Sequence, residues 1–154
     1  MDIEQVAEEV KSAFAGVVLG SGIGLWQAQA IDDYQTEVIQ KKERERDEKE
    51  NWSLLEDSIL QRCHSSLSFF DADGMRFHLP AFILASMKGE VDDPIFQLTH
   101  LDEYGLSRFV SLTDDQRNAI VIYLTWCLES DEYKFERPNI ENSLNEYWKR
   151  QSNK

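Results

Sequence analysis

The chain lacks any apolar run long enough to cross a membrane. The longest, Ala119–Leu128, is about half the roughly 20 residues that a spanning helix needs, and Thr125 interrupts it. The N-terminal segment is acidic and amphipathic, which is unlike a secretory signal peptide. We therefore expect a cytoplasmic protein without a membrane segment.

Cysteine and basic residues are also scarce. Cys63 and Cys127 are the only thiols, and two cysteines in a Trp-containing chain of 154 residues are typically free and buried. The 16 Lys and Arg residues are outnumbered by 29 Asp and Glu, which gives a net charge of −13. This balance argues against binding nucleic acid or an anionic membrane, because both require clustered cations. It favours encounters with a basic protein.

The densest apolar stretch is Leu67–Lys88, which we expect at the centre of the core. Asp71 stands where its carboxylate can cap the first turn of a helix. Pro80 interrupts the run, because it has no N–H and its ring conflicts with the carbonyl of Arg76. Two short helices, the second starting at Pro80, and one kinked helix both fit this pattern.

The remaining patterns predict a single, mainly α domain over residues 1–154, with one small β-hairpin left open. Apolar spacing predicts helices over Asp2–Ala15, Leu25–Tyr34, Trp52–Leu60, Asp115–Leu128 and Asn139–Gln151. Thr113 and Gln116 form a capping box before the fourth of these. Residues 37–50 alternate charges with few apolar residues, which predicts a solvated helical arm or helix extension.

Two short segments are the best strand candidates. Ile95–Leu98 and Gly105–Leu112 concentrate Ile, Phe and Val, and they can pair across the turn at Asp102–Gly105. A helical interpretation of both segments competes with this hairpin.

The glycine-rich segment Gly20–Gly24 superficially resembles a nucleotide-binding loop. A dinucleotide fingerprint needs its third glycine one position later, where Leu25 stands, and no series of alternating strands and helices follows. No phosphate-loop lysine follows either. A flexible turn with Ser21 as a cap is the better interpretation.

Metal and catalytic motifs are weak. His64, His78 and His100 have no recognised ligand spacing, and the segment after Asp71 does not fit a calcium loop. Cys63 and His64 are adjacent, so on a helix their side chains point about 100° apart and do not form a nucleophile–base pair. We predict no metal, no cofactor and no catalytic residue. The alternative is a small enzyme with acid–base groups drawn from a set around His64–His78: His64, Asp71, Asp73, Arg76 and His78.

Two segments carry a resemblance to a known family. The segment Gly74–Phe82, GMRFHLPAF, is followed by Ser107-Arg108-Phe109 and by LTDDQR at Leu112–Arg117. Together they resemble an uncharacterised bacterial family of small, stand-alone soluble proteins. The resemblance covers Leu54–Leu128 at least. It supports a small single-domain fold and implies no established activity or catalytic residue.

The function favoured by the sequence is binding without catalysis. Between Glu90 and Glu136 there are eleven acidic and three basic residues, which predicts an acidic docking surface. The concrete form is an immunity or inhibitor protein that neutralises a basic, nuclease-type toxin. An accessory subunit and a homodimer remain open, with Trp26, Trp52 and Trp148 as contact candidates if they are exposed. The candidate partner-binding residues are Asp92, Asp93, Asp102, Glu103, Asp114 and Asp115.

Overall fold

The fold is arranged around α5 (Ala72–Met87), a 16-residue helix that buries most of its side chains. In the computed structural model, which describes residues 1–150, Asp71 caps this helix by accepting a hydrogen bond from Gly74 N at 2.9 Å. Pro80 lies inside a single helix, which decides between the two alternatives that the sequence left open. Each large apolar side chain buried around it contributes about 1.5–3 kcal/mol, which offsets the roughly 3 kcal/mol cost of a helical proline.

Two long helices flank this centre. α1 (Ile3–Ala13) begins at an Asp2 capping box and buries Val6 and Val10. It packs against α5 and against α8 (Asp114–Leu128), which starts at the predicted capping box of Thr113 and Gln116. Both boxes confirm the starts that the sequence indicated.

The charged segment of residues 37–50 forms a helical hairpin with the helix before it. α2 (Leu25–Asp32) contacts α3 (Glu37–Glu45), and α3 buries none of its residues fully. α3 begins at Thr36, whose side chain accepts a hydrogen bond from Ile39 N. The helical part of residues 37–50 therefore ends at Glu45, and the rest leads back to the body of the protein.

Short helical segments connect this hairpin to α5. A 3₁₀ turn at Trp52–Leu54 and α4 (Asp57–Arg62) both contact α5. A second 3₁₀ segment, His64–Ser68, contacts α2 and precedes the Asp71 cap. The sequence predicted one helix over Trp52–Leu60, and Leu55 and Glu56 divide it in two because both adopt extended backbone angles.

The small β-hairpin is absent from residues 1–150. α6 (Ile95–Thr99) covers the first strand candidate, as the competing helical interpretation had it. α7 (Glu103–Ser107) covers only the start of the second candidate, and residues 108–111 form turns. Asp102 caps α7 by accepting from Gly105 N at 2.7 Å. Ile95 and Leu98 are the buried pair, and a spacing of three is that of a helix face. Local capping and this spacing outweigh the β-propensity of Ile, Phe and Val.

The C-terminal helix changes form along its length. α9 (Arg137–Ser143) has Pro138 in its first turn and continues into a π-helical turn at Leu144–Trp148. The predicted end of this helix, Gln151, lies outside the described residues. None of the helices within residues 1–150 has the length and apolar character to cross a membrane.

Distant side chains close several helix ends. At the end of α1, Gln116 donates to Ala13 O at 3.2 Å and Trp52 Nε1 donates to Phe14 O at 2.8 Å. Trp148 Nε1 donates to Leu98 O at 2.9 Å at the end of α6. The carbonyl groups in the last turn of a helix have no hydrogen-bond donor within the helix. These side chains supply the missing donors.

Candidate functional site

The five residues of the enzyme alternative have structural partners and do not form one cluster. Asp71 caps α5, and Asp73 pairs with Arg76 one turn along the helix at 3.6 Å. Arg76 Nη1 also donates to Ser111 O at 3.4 Å. His64 Nε2 lies 3.1 Å from Asp92 O, and His78 is fully buried. None of these contacts links two of the groups across a cleft.

His78 is a neutral core side chain. Its Nδ1 donates to Gly74 O at 2.7 Å, and its ring stacks on Phe70 with 4.3 Å between centroids. Burial lowers the pKa of His78 to about 4, and the hydrogen bond to Gly74 O opposes this shift. Nε2 is buried without a hydrogen-bond partner among the described residues. The ring therefore fills the core in place of an apolar side chain.

Both cysteines are free, buried thiols. Burial raises the pKa of Cys63 to about 11 and that of Cys127 to about 12. A nucleophilic cysteine needs a lowered pKa, because the thiolate is the reactive form. Neither thiol has that character. Among the described residues, no group of three or more His, Cys, Asp or Glu side chains is placed to hold a metal ion.

The carboxylate of Asp47 lies beside Gly24, where the glycine-rich segment meets the first turn of α2. The Asp47 carboxylate accepts hydrogen bonds from Trp26 N at 2.6 Å and Gln27 N at 3.2 Å, in the first turn of α2. Burial raises the pKa of Asp47, whereas these two hydrogen bonds lower it. Open N–H groups at a helix N-terminus attract anions, and here Asp47 already occupies that position. Gly20–Gly24 forms a turn, as expected, but the prediction of Ser21 as its cap was wrong: Gly24 is the N-cap residue of α2, and Asp47 accepts from the N–H groups of the first turn.

Arg44 also contacts the glycine-rich turn Gly20–Gly24. Its guanidinium donates to Gly20 O at 2.7 Å and to Gly22 O at 3.0 Å. A side chain on Gly24 would overlap the Asp47 carboxylate, and one on Gly22 would lie 2.8 Å from Gly74 N. These glycines are therefore required by the close approach of Asp47 and of α5. Asp47 and Arg44 were not predicted from the sequence, because nothing in the charged run indicates that two of its members point inward.

The six candidate partner-binding residues lie at helix starts and in the loop before α6. Asp92 and Gln61 exchange two hydrogen bonds, and Asp93 Oδ1 accepts from Ile95 N at 3.0 Å. Asp114 and Asp115 stand in the exposed first turn of α8. These four carboxylates thus have local structural roles in addition to any role in binding.

This placement is common along the chain. About half of the 29 acidic residues occupy an N-cap or first-turn position, where a negative charge stabilises the partial positive charge of the helix terminus. A fold made of many short helices has many such positions. Much of the net charge therefore has a structural origin, and charge alone does not identify a binding surface.

One exposed surface combines these charges with aromatic rings. We call the side chains of Phe96, His100, Asp102, Glu103 and Tyr104 the acidic aromatic patch. Phe96 is 63% exposed, and its ring stacks on that of His100 with 4.9 Å between centroids. His100 Nε2 lies 3.2 Å from Asp102 Oδ2. The hydrogen bond from Gly105 N lowers the pKa of Asp102, and His100 reinforces this effect. Tyr104 is 54% exposed.

A buried arginine supports the patch from beneath. Arg108 is 4% exposed; its guanidinium donates to Leu67 O and, at 2.7 Å, to Gln97 Oε1. It lies 4.8 Å from the centroid of the Tyr104 ring. Tyr104 donates its hydroxyl to Ser68 O at 2.7 Å. Arg108 and Tyr104 therefore link α7 to the 3₁₀ segment and to α6 beneath the patch.

A separate surface feature is an apolar groove of about 460 Å³. Trp52, Ala7 and Ala85 contribute to its lining, and Lys11 and Lys88 stand among its polar residues. Lys88 pairs with Asp57 at 2.9 Å, and Lys11 with Glu8 at 3.6 Å. None of the candidate enzyme residues lines it. This groove was not predicted from the sequence, because its walls come from segments far apart in the chain.

The described residues thus define an all-helical domain in which the conspicuous polar side chains mainly cap helices and support loops. The chain belongs to DUF6714, a family of unknown function, whose family model matches residues 2–152. This confirms the resemblance to an uncharacterised family that its central motifs indicated. Neither a curated protein nor a solved structure matches the chain.

Proposed function

We propose that this protein is a non-enzymatic domain that binds a basic protein through the acidic aromatic patch. The observation that carries the proposal is the exposure of Phe96 and Tyr104 beside Asp102 and Glu103. Large aromatic side chains supply much of the binding energy in protein interfaces, and flanking carboxylates favour a cationic partner. The patch contains both.

The hydrogen-bonded support of the patch also favours binding. Arg108 and Ser68 hold Tyr104 from beneath, and Asp102 is tied to the first turn of α7. A surface that is already ordered loses less conformational entropy when a partner docks. The arrangement therefore suits recognition better than a flexible acidic loop would.

The concrete form that we propose is an immunity or inhibitor protein that neutralises a basic, nuclease-type toxin. Such a toxin carries Lys and Arg where it holds phosphates, and a carboxylate-rich inhibitor is complementary to that surface. The net charge of −13 would accelerate the encounter, and the patch would provide the contact.

The first test measures how the aromatic part of the patch contributes to affinity. We expect Phe96→Ala to raise the dissociation rate constant of a partner captured from the source cells by about tenfold or more, since exposed aromatic anchors dominate interface energies. Phe135→Ala is the matched control, because Phe135 is also highly exposed but belongs to no described patch. Surface plasmon resonance measures both variants. Equal dissociation rates would exclude the acidic aromatic patch as the contact.

The second test separates local charge from net charge. Asp102→Asn with Glu103→Gln removes two charges and keeps a good N-cap, because Asn caps as well as Asp. We expect this pair to lower the association rate constant about three- to tenfold at low salt, with the difference disappearing at high salt. Glu9→Gln with Glu45→Gln removes the same charge from exposed positions elsewhere. An equal effect of both pairs would contradict docking at the patch.

The immunity form has its own requirement. The captured protein should be rich in Lys and Arg, and it should lose nuclease activity when the chain is added in equimolar amount. A captured protein that remains fully active would contradict inhibition, while the two binding tests would still decide whether the patch is the contact.

A further inference from the structure

Just beyond the C-terminus of α2, the exposed residue Tyr34 adopts a left-handed backbone conformation that its side-chain packing does not compensate. Tyr34 has φ of +59° and is 95% exposed. Tyr34 N donates to Ile31 O at 3.1 Å, and Gln35 N donates to Ala30 O at 3.0 Å. This is the hydrogen-bond pattern of a Schellman motif, in which the left-handed position is usually glycine.

The same chain uses glycine in the same motif at the end of α5. Gly89 has φ of +78°, its N–H donates to Ser86 O, and Glu90 N donates to Ala85 O. A Cβ added at Gly89 would meet no atom within 4 Å, so space does not dictate that glycine. The left-handed backbone conformation accounts for the glycine at this position. Tyr34 therefore stands where the local backbone favours glycine.

The packing of the Tyr34 ring contributes almost nothing to the stability of the folded chain. A non-glycine residue is disfavoured in the left-handed region because its Cβ crowds the backbone carbonyl oxygen that follows it. A ring that is almost wholly exposed buries too little surface to offset this crowding. Strain without an internal benefit points to a contact outside the chain.

The outer face of α3 continues this surface. Val38 is 77% exposed, and Ile39, Lys41 and Lys42 are also exposed. The opposite face carries Arg44, which bonds to the glycine-rich turn. α3 thus has one face fixed to the protein and one apolar and charged face without a partner among the described residues. We call Tyr34, Glu37, Val38 and Lys42 the hairpin surface.

We propose that the hairpin surface binds a second copy of this chain, with the two α3 helices antiparallel about a two-fold axis. In that arrangement Glu37 of each copy faces Lys42 of the other, and Val38 packs on the methylene groups of Lys41 in the second copy. Each Tyr34 ring lies at an end of the contact, beside the second copy's helix. Closed two-fold dimers are the commonest form of protein association.

Charge identifies the second copy as the occupant. The protein carries −13 overall, so most faces of two copies repel each other. α3 is an exception, because its exposed acids Glu37 and Glu45 are balanced by its exposed bases Lys41 and Lys42. An alternating pattern of this kind is complementary to itself when the helix is reversed. This inference does not depend on the proposed function.

Sedimentation velocity of the full chain tests the proposal. Between about 5 μM and about 500 μM, a range suited to a small interface, the weight-average mass should rise from 17.9 kDa toward twice that value. Val38→Glu should weaken self-association at least about tenfold, because it places a charge at the centre of the contact. Leu54→Glu is the matched control, since Leu54 is also exposed and lies outside the hairpin surface. A wild-type protein that stays monomeric throughout this range would overturn the proposal.

A charge exchange tests the antiparallel register. Glu37→Lys and Lys42→Glu should each be monomeric alone, and an equimolar mixture should associate again because opposite charges then face each other. Failure of the mixture to associate would overturn this register.

Replacement of the strained residue separates binding from folding. Tyr34→Gly should raise the midpoint of thermal unfolding by about 2–4 °C, through relief of the backbone strain, and should weaken self-association. Unchanged self-association in this variant would remove Tyr34 from the contact and contradict the proposal.

Discussion

Replacing Asp47 with alanine is expected to lower the free energy of unfolding by about 2–3 kcal/mol. The carboxylate accepts from Trp26 N and Gln27 N, and it is only 7% exposed. Hydrogen bonds to a charged acceptor contribute roughly 1.5–3 kcal/mol, and loss of an N-cap typically costs about 1 kcal/mol. Burial of the charge, which raises the pKa of Asp47, keeps the net effect below the sum of these contributions. Urea denaturation followed by circular dichroism measures it.

The local cap of α1 provides the matched control. Asp2 accepts from Gln5 N at 2.9 Å in an exposed position at the start of the chain. We expect Asp2→Ala to lower the free energy of unfolding by only about 0.5–1 kcal/mol, as for ordinary exposed caps. If Asp47→Ala lowers the free energy of unfolding no more than Asp2→Ala does, the contact between residue 47 and α2 contributes little to the stability of the α2–α3 helical hairpin.

A double-mutant cycle isolates the contact further. Gly24→Ala would force the Asp47 carboxylate out of its position, so it should cost about as much as Asp47→Ala. The two changes together should cost clearly less than their sum, because each disrupts the same contact. Additive effects would show that Gly24 is needed for a reason other than the approach of Asp47.

The helices that the sequence predicted well are those with local signals. The Thr113–Gln116 capping box and the Asp71 cap lie within three residues of the N–H groups that they satisfy. The β-hairpin that the sequence left open does not form, because Ile, Phe and Val favour strands only where a partner strand exists. In its place, Asp102 and the buried pair Ile95 and Leu98 favour helices.

The structural roles of individual polar residues were less predictable. Asp47 and Arg44 lie in a run of alternating charges, and their partners are about twenty residues earlier in the chain. Arg108 bonds to Leu67 O across 41 residues. A single sequence carries no sign of such distances, since local spacing reports only contacts within a few residues. The sequence places Tyr34 at the end of a helix, and only its backbone conformation marks it as unusual.

The distribution of acids changes how the net charge is interpreted. Capping and first-turn positions account for about half of the acidic residues, so a high negative charge follows partly from having many short helices. The acidic aromatic patch differs from the other helix starts because exposed rings adjoin its carboxylates. Our proposal therefore rests on that combination and uses the net charge only to explain the rate of encounter.

The stability of this protein is expected to fall between pH 6.5 and pH 4 because of one buried histidine. His78 has a pKa of about 4 in the folded state, compared with 6.5 for an unperturbed histidine. The folded state therefore holds His78 neutral where the unfolded chain binds a proton. The stabilisation is complete above pH 6.5, decreases as the pH falls through this window, and levels off below pH 4. The total loss is roughly 3 kcal/mol.

A substitution that removes the titrating group tests this origin. His78→Leu keeps an apolar side chain beside Phe70, and Gly74 O remains an acceptor within α5. Urea denaturation at several pH values should show that the decline between about pH 6.5 and about pH 4.5 is much smaller in this variant than in the wild type. His100→Gln is the control, because His100 is exposed, and it should retain the full decline. An equally steep decline in His78→Leu would show that carboxylates cause the acid sensitivity. Protonation of His78 in the wild type would then not destabilise the folded state.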